Sequence, residues 1–458
     1  MRNRSQTRRV LVIASAFPPA GGSGVQRTAK FVKYLPDCGW TPVVWTCDHH
    51  SGLPTDATLL EDLPDDLEIH RHNSGWNGLT PTLMESLGRC AGRAGLLGAA
   101  ARRLDWRLRA RQTRSSHPDG SIGWANASLR PILDLIARDS IDAIYSTFSP
   151  ASNHLLALRV QEATGLPWIA DFRDLWTDDY RYQPATPAMR AVDRRLEQEV
   201  LEAADVVIGV SPNQTAILAS HVPQQRNKFA TITNGFDPTD FDRDEDVAES
   251  SCDDQRFVLA HVGRFDRWRT PEVWFDGLSR FAAILGGARD TFELRIVGHV
   301  DRRTSTRLDQ TGVHWVAVGE VWHNEAICEM RHAGALLLNV PDGPNADSVI
   351  PAKLFEYLAA GRPILVVGPE DGVAEGIVQS HGAGLTVNFD ADDIAFALDR
   401  LYSARRNGKP TITAMPAHIE RFNRITLTRH LAALLDDLVC PVERSDADPL
   451  AAEELQLT

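Results

Sequence analysis

The sequence predicts an α/β protein built as two Rossmann-like domains whose parallel sheets face each other across a cleft. Three observations predict it. The chain has 458 residues, enough for two domains of ordinary size. Short continuous apolar runs alternate with amphipathic helical stretches, as strands of a parallel sheet buried on both faces require. That alternation runs twice, with a break at the acidic segment Asp242–Asp254, which is poor in large apolar residues.

In the first series, strands are expected at Val10–Ala16, Pro42–Thr46, Leu67–His70, Asp142–Thr147, Pro167–Ala170, Asp205–Val210 and Ala230–Thr233. Helical spacing falls at Val25–Pro36, Ala125–Arg138, Pro150–Thr164 and Met189–Ala203. In the second series, strands are expected at Phe257–Val262, Glu293–Val297, Val313–Val318, Ala335–Val340, Pro363–Val367 and Gly384–Val387, again with helices between. The expected domains are residues 1–240 and 241–415. A last helix within 416–440 is expected to pack back on the first domain. The tail, 441–458, carries five acids and one arginine and is expected to be disordered.

Composition excludes several classes. With 43% hydrophobic and 24% charged residues the chain reads as globular and soluble. No apolar run reaches the ~18 residues of a membrane span. The basic N-terminus leads into an apolar stretch too short for a signal peptide, and Pro18-Pro19 stands where cleavage would fall, so secretion is not expected. Six scattered cysteines without a CxxC pair predict neither disulfides nor zinc and fit a reducing cytosol. His49-His50 and His70–His72 lack neighbouring ligands, so no metal is expected. A net charge of −13 argues against nucleic-acid binding. Residues 89–114 oppose that average with eight arginines and one acid. Two readings stay open there: a basic amphipathic helix for an anionic membrane surface, and a solvated helix face.

Candidate site residues lie where parallel strands end, because loops and helix N-termini converge there. After the first strand, Phe17-Pro-Pro-Ala-Gly-Gly-Ser-Gly-Val-Gln-Arg27 offers Gly22 and Gly24 for close backbone approach and Arg27 for a charge-assisted bond. Pro167-Trp-Ile-Ala-Asp-Phe-Arg-Asp-Leu-Trp176 ends in Asp171, Arg173 and Asp174, charged groups that need a partner or a ligand. Ile232-Thr-Asn-Gly-Phe-Asp237 suits a positive-φ turn at a hinge or at the cleft. In the second half, Arg264 and Arg269 stand over a helix start marked by Thr270-Pro271, a physical description of a diphosphate site. Ser348-Val-Ile-Pro-Ala-Lys-Leu-Phe-Glu-Tyr-Leu-Ala-Ala-Gly-Arg-Pro363 places Lys353 and Glu356 on one face of a helix start. Lys353 opposes the helix dipole unless an anion binds there, and Glu356 is suited to ribose hydroxyls.

These motifs together resemble the retaining nucleotide-sugar glycosyltransferases of family 4, with the two-domain GT-B fold. FPPAGGSGVQR, PWIADFRDLW, VIGVSP, ITNGFD, HVGRF, ELRIVGH and KLFEYLAAGRPIL occur in family order from about residue 10 to 390. The resemblance implies that Arg264 and Arg269 bind the donor diphosphate and that Glu356 holds the ribose. It implies that the backbone of Ile350, Pro351 and Ala352 meets the phosphates, and that the loop of Gly22 and Gly24 faces acceptor and donor phosphate. Ser348 stands where the family has its first glutamate, a sugar contact. Arg173 stands where it often has a histidine, so Arg173 with Asp171 and Asp174 is the expected catalytic group.

The implied chemistry is sugar transfer from a nucleotide diphosphate to a glycan or lipid-linked acceptor, with retention. No cofactor or metal is needed, because cations and helix N-termini stabilise the departing diphosphate. The subgroup resembled makes cell-surface polysaccharides or glycolipids, which places the chain in the cytoplasm, at the inner face of the membrane if residues 89–114 bind it. A nucleotide-sugar epimerase of the same fold and a non-catalytic sugar or lipid binding protein remain as alternatives.

Overall fold

The computed structural model describes residues 7–48, 55–73, 117–242, 256–408 and 419–440. The first sheet contains β1 (Arg8–Ile13), β2 (Trp40–Cys47), β3 (Glu68–His72), β4 (Ala143–Phe148), β5 (Trp168–Phe172), β6 (Val206–Gly209) and β7 (Phe229–Thr231), in the order β3-β2-β1-β4-β5-β6-β7. Its helices are α1 (Ser23–Tyr34), the one-turn α2 (Thr58–Glu61), α3 (Ile122–Arg138), α4 (Ser152–Thr164), α5 (Pro187–Ala203) and α6 (Pro212–His221).

The second sheet contains β8 (Phe257–Val262), β9 (Phe292–Val297), β10 (Trp315–Gly319), β11 (Ala335–Asn339), β12 (Ile364–Val367) and β13 (Gly384–Val387), in the order β10-β9-β8-β11-β12-β13. Between them run α7 (Glu272–Leu285), α8 (Arg302–Thr311), α9 (His323–His332), α10 (Lys353–Ala360), α11 (Val373–Ser380) and α12 (Ala391–Arg406), and α13 (Arg424–Val439) follows. Every pairing between the strands of both sheets is parallel.

Central strands read as unbroken apolar runs because both of their faces are covered. Val10, Leu11, Val12 and Ile13 of β1 are fully buried, with Leu11 and Ile13 in the core on one side of the sheet and Val10 and Val12 in the core on the other. The second sheet is sandwiched in the same way.

The last helix leaves the second sheet and lies on the first. Leu427, Leu431 and Leu435 of α13 pack with Phe31, Trp40 and Val10, and Trp40 Nε1 donates to Asp436 at 2.9 Å. The expected start near Pro416 is corrected. A 3₁₀ turn occupies Ile419–Phe422, and α13 begins at Arg424, where Asn423 Oδ1 accepts from the Ile425 amide at 2.8 Å.

Here the two passes of the chain between the sheets cross. The Phe236 amide donates to Phe422 O at 3.1 Å and the Arg424 amide to Phe236 O at 2.9 Å. Gly235 is needed for this close approach, since a Cβ would overlap the Phe422 carbonyl. The expected positive φ at Asn234-Gly235 is not what the backbone adopts.

The carboxyl ends of the two sheets face each other, and side chains already bridge them. Ser211 Oγ donates to Ser348 O at 2.8 Å, and Asn345 Nδ2 donates to Asp178 O at 2.9 Å. Among the described residues no helix is long and apolar enough to cross a membrane.

Candidate active site

β8 ends in His261-Val262, and the loop beyond it carries the arginines toward α10. Asp266, which is buried, holds both guanidiniums: Arg269 Nη1 at 2.8 Å and Arg264 Nε at 3.4 Å. Arg264 keeps 60% of its side chain exposed and so remains available to a ligand. The flanking helix α7 starts at Glu272, with Pro271 just outside it, rather than with Thr270 as its cap.

Lys353 is the first residue of α10, and its Nζ donates to His261 Nε2 at 2.9 Å. With Nε2 accepting, Nδ1–H donates to Leu337 O at 3.2 Å; Nε2 also lies 3.3 Å from Arg264 O and Nδ1 3.3 Å from Lys353 Nζ, so either neutral tautomer finds partners for both ring nitrogens. Burial, then the Lys353 ammonium, holds His261 well below the ordinary imidazole range, so it is neutral. Burial, then Arg269, pushes Lys353 down to about 7, with Glu356 opposing. Among the described residues the hydrogen bonds of Lys353 go only to that imidazole, so an ammonium here, at a helix N-terminus beside a guanidinium, is short of negative charge.

Glu356, one helical turn along, keeps 16% of its side chain open. Its nearest ionic partner is His323 Nε2 at 3.7 Å, beyond hydrogen-bonding distance. Burial raises the Glu356 carboxyl, opposed by His323. His323 opens α9 and touches Asp240 at 3.1 Å. Burial alone would lower its imidazole, but Asp240 and Glu356 raise it to about 9.

In the first domain, two expectations are corrected. Arg27 is fully buried and donates from Nε and Nη2 to Asp171 at 2.8 Å each, and also to Ile232 O and Thr233 O. Tyr145 Oη donates to Asp171 at 2.5 Å. Asp171 is therefore enclosed by its own partners rather than set in the cleft as a catalytic group, and Arg27 braces β5 against the chain after β7 rather than facing a phosphate. The pair forms because β1 and β5 flank β4, which brings residues 144 positions apart together.

Arg173 follows β5 and is partly exposed. Its Nη2 donates to Ser149 O at 3.1 Å, and its guanidinium lies against Gly24. Gly22 is exposed at the start of α1. Asp174 lies 3.6 Å from Arg173 and 3.1 Å from Arg181. Tyr180, in the same loop, lies within electrostatic reach of Arg269 and packs against Gly343 of the second domain. Ser348 is buried with Oγ donating to Asn345 O at 2.7 Å, so its hydroxyl is directed inward rather than toward a sugar. Ile350 is buried, while Pro351 and Ala352 are half-buried before α10.

The expected set thus separates. Arg264, Arg269 and Lys353 cluster at the end of β8 and Glu356 lies one turn away, whereas Arg173 and Asp174 contact Gly24, Ser149 and Arg181 of the first domain. His261, His323 and Arg181, which lie beside these candidates, were not expected from the sequence. A histidine ending an apolar strand was the available signal for His261, whereas nothing near His323 in sequence marks it.

Asp62, Asp237 and Asp240 bring carboxylate oxygens together in a geometry that could hold a metal ion. Lys30 Nζ contacts all three, at 2.6–2.9 Å, and Lys33 Nζ contacts Asp62 and Asp237. The donor set is thereby taken up by two ammonium groups and does not fit a cation. Residues 89–114 and the tail 441–458 lie outside the described residues, as does nearly all of the acidic segment Asp242–Asp254.

The family model described as Glycosyltransferase Family 4 matches residues 90–240. No curated protein matches the sequence. Sucrose-phosphate synthase from Thermosynechococcus elongatus superposes with a TM-score of 0.64 at 16% identity, over 95% of this chain and 100% of that one. Anabaena Alr3699/HepE in complex with UDP and glucose gives 0.60 at 14%, over 94% and 100%. A Listeria monocytogenes protein described as a putative UDP-N-acetylglucosamine 2-epimerase gives 0.54 at 12%, over 97% and 100%. At these identities the likeness is one of fold. The chain has the GT-B fold of two Rossmann-like domains, and its residues 90–240 match glycosyltransferase family 4.

Proposed function

We propose that this protein is a retaining glycosyltransferase that moves a sugar from a nucleotide-diphosphate donor to a glycan or lipid-linked acceptor. One observation carries the reading: Lys353 and Arg269 sit together at a helix N-terminus with Lys353 lacking any ion pair among the described residues. Such a site is complementary to the charge that grows on a departing diphosphate. Arg264 adds an exposed guanidinium, and the amides of Ile350, Ala352 and Lys353 add backbone donors. The UDP held by the Anabaena structure supports a nucleotide as the ligand class.

The chemistry runs on this chain's own cations. As the bond from the sugar to the diphosphate breaks, the anomeric carbon becomes oxocarbenium-like and the leaving oxygens gain charge. Lys353, Arg269 and Arg264 stabilise that charge without a metal. Glu356 accepts from ribose hydroxyls and fixes the nucleotide. The leaving phosphate takes the acceptor proton from the same face, which retains configuration. Arg173, with Asp174, faces the sugar from the opposite domain, and closure of the cleft excludes water that would hydrolyse the donor. We place the reaction in cell-surface polysaccharide or glycolipid synthesis, at the inner membrane face through residues 89–114.

Incubation with labelled nucleotide-sugars and an acceptor extract tests this. Transfer supports the proposal. Isomerised nucleotide-sugar would instead identify an epimerase, and binding without turnover a non-catalytic protein. Flotation with anionic liposomes tests the membrane placement, which falls if charge reversal at Arg102, Arg103 and Arg107 leaves flotation unchanged.

A further inference from the structure

Glu356 makes no hydrogen bond among the described residues, and its one close ionic neighbour is His323. His323 reaches three ways from the start of α9. Nε2 faces Asp240, on the turn after the first sheet, at 3.1 Å and Glu356 of α10 at 3.7 Å. Nδ1 lies 3.2 Å from the Gln26 side chain in the first turns of α1. One imidazole thus touches the glycine-loop helix of one domain, the linker and the ribose candidate of the other domain.

Two carboxylates facing Nε2, Asp240 at 3.1 Å and Glu356 at 3.7 Å, favour the imidazole as a cation. The Gln26 atom facing Nδ1 is the amide Nε2, so an imidazolium, which donates from both nitrogens, requires that amide to turn over and present its oxygen.

We propose that His323 is a positioning residue that orients the Glu356 carboxylate for the ribose and makes that orientation depend on contact with the opposite domain. The inference rests on the reading of Glu356 as the ribose ligand. The Nε2–H bond goes to Asp240, so the imidazolium holds Glu356 by charge across 3.7 Å and leaves its carboxylate oxygens free to accept from two vicinal hydroxyls. If the domains separate, Gln26 leaves His323 and that fixation loosens.

The test measures binding of UDP, GDP and ADP to the full chain by calorimetry, then compares the tightest with its 2′,3′-dideoxy analogue. The wild type is expected to prefer the ribose form at least tenfold, as loss of bonds to a charged acceptor implies. Glu356→Ala should abolish the preference, and His323→Ala should cut it several-fold. His323→Gln, which keeps a donor, should restore part of it, and also tests the proposal if the alanine variant folds poorly. In the Glu356→Ala background, His323→Ala should have no further effect. A full ribose preference in both His323 variants overturns the role of His323 alone. A full preference in Glu356→Ala overturns the ribose reading beneath it, and failure of all three nucleotides to bind overturns both.

Discussion

The guanidinium of Arg173 rests against the backbone of Gly24, so that a Cβ at Gly24 would overlap it. The glycine loop and the loop after β5 are therefore one unit, and the small residue at position 24 serves a neighbouring side chain. Gly24→Ala is expected to displace Arg173 and lower kcat/KM for sugar transfer by about 100-fold, the scale of a ~1 Å misplacement. Arg173→Ala should do the same, and the double variant should be no worse than either single one. Nucleotide affinity, set in the other domain, should be unchanged. Additive losses in the double variant would separate the two residues.

The arginines after β8 predict a different signature. Arg264→Ala should weaken nucleotide-diphosphate binding by about 1.5–3 kcal/mol, the range of a hydrogen bond to a charged group. Nucleoside binding should hardly change. Asp266→Asn should weaken the same binding, because Asp266 holds Arg269 at 2.8 Å and Arg264 at 3.4 Å. Calorimetry with nucleoside, monophosphate and diphosphate checks both, and equal losses for all three ligands would rule out a phosphate role.

The strands were legible because burial on both faces writes them as unbroken apolar runs. Phe257–Val262 and Gly384–Val387 are found at the expected bounds. That Lys353 and Glu356 share the first turn of α10 was legible as well, since their spacing is local. Tertiary pairing was not. Arg27 reads as a phosphate ligand when only the glycine loop is in view, and Asp171 reads as a cleft acid at a strand end. Their bidentate bond depends on β4 lying between β1 and β5, an order that no local pattern states. His323 was missed for a like reason: its carboxylates come from the linker and from α10.

That buried pair should be visible in stability. Asp171→Ala leaves Arg27 without its anion and Tyr145 without its acceptor, inside a fully closed core. Removing one partner of a buried ion pair costs about 3–5 kcal/mol. Urea unfolding should show that loss with no change in the slope of free energy against denaturant. A loss under 1 kcal/mol, the range of exposed pairs, would mean that the pair is open to solvent.

His323 gives a pH-dependent contribution of opposite origin. Its folded pKa, about 9, lies above the ordinary 6.5 because Asp240 and Glu356 outweigh the effect of burial. A raised folded pKa stabilises fully below the unfolded value and is lost as pH rises through the folded one. The stability advantage of wild type over His323→Gln should therefore be complete at pH 6 and gone above pH 9. Paired urea titrations across that range check it. An advantage that grows with pH would show the imidazole to be neutral.

Lys353 has the reverse sign. Burial and Arg269 hold it at about 7, well under the ordinary 10.5, so the unfolded chain binds the extra proton between those values. Its contribution to stability therefore rises with pH from about 7 to 10.5. Binding reverses the cause of the shift, because a diphosphate brings negative charge to the ammonium and favours its protonated form. Above pH 7 the diphosphate must then be bound with uptake of a proton, and affinity should fall by up to about tenfold per pH unit, until His323 or the bound ammonium itself titrates. Calorimetry at pH 8 in buffers of different ionisation enthalpy should register close to one proton taken up. Lys353→Met removes the ammonium and leaves His323 in place, so the difference between the two proteins isolates Lys353. If Lys353→Met takes up as many protons as the wild type, the ammonium does not meet the phosphates.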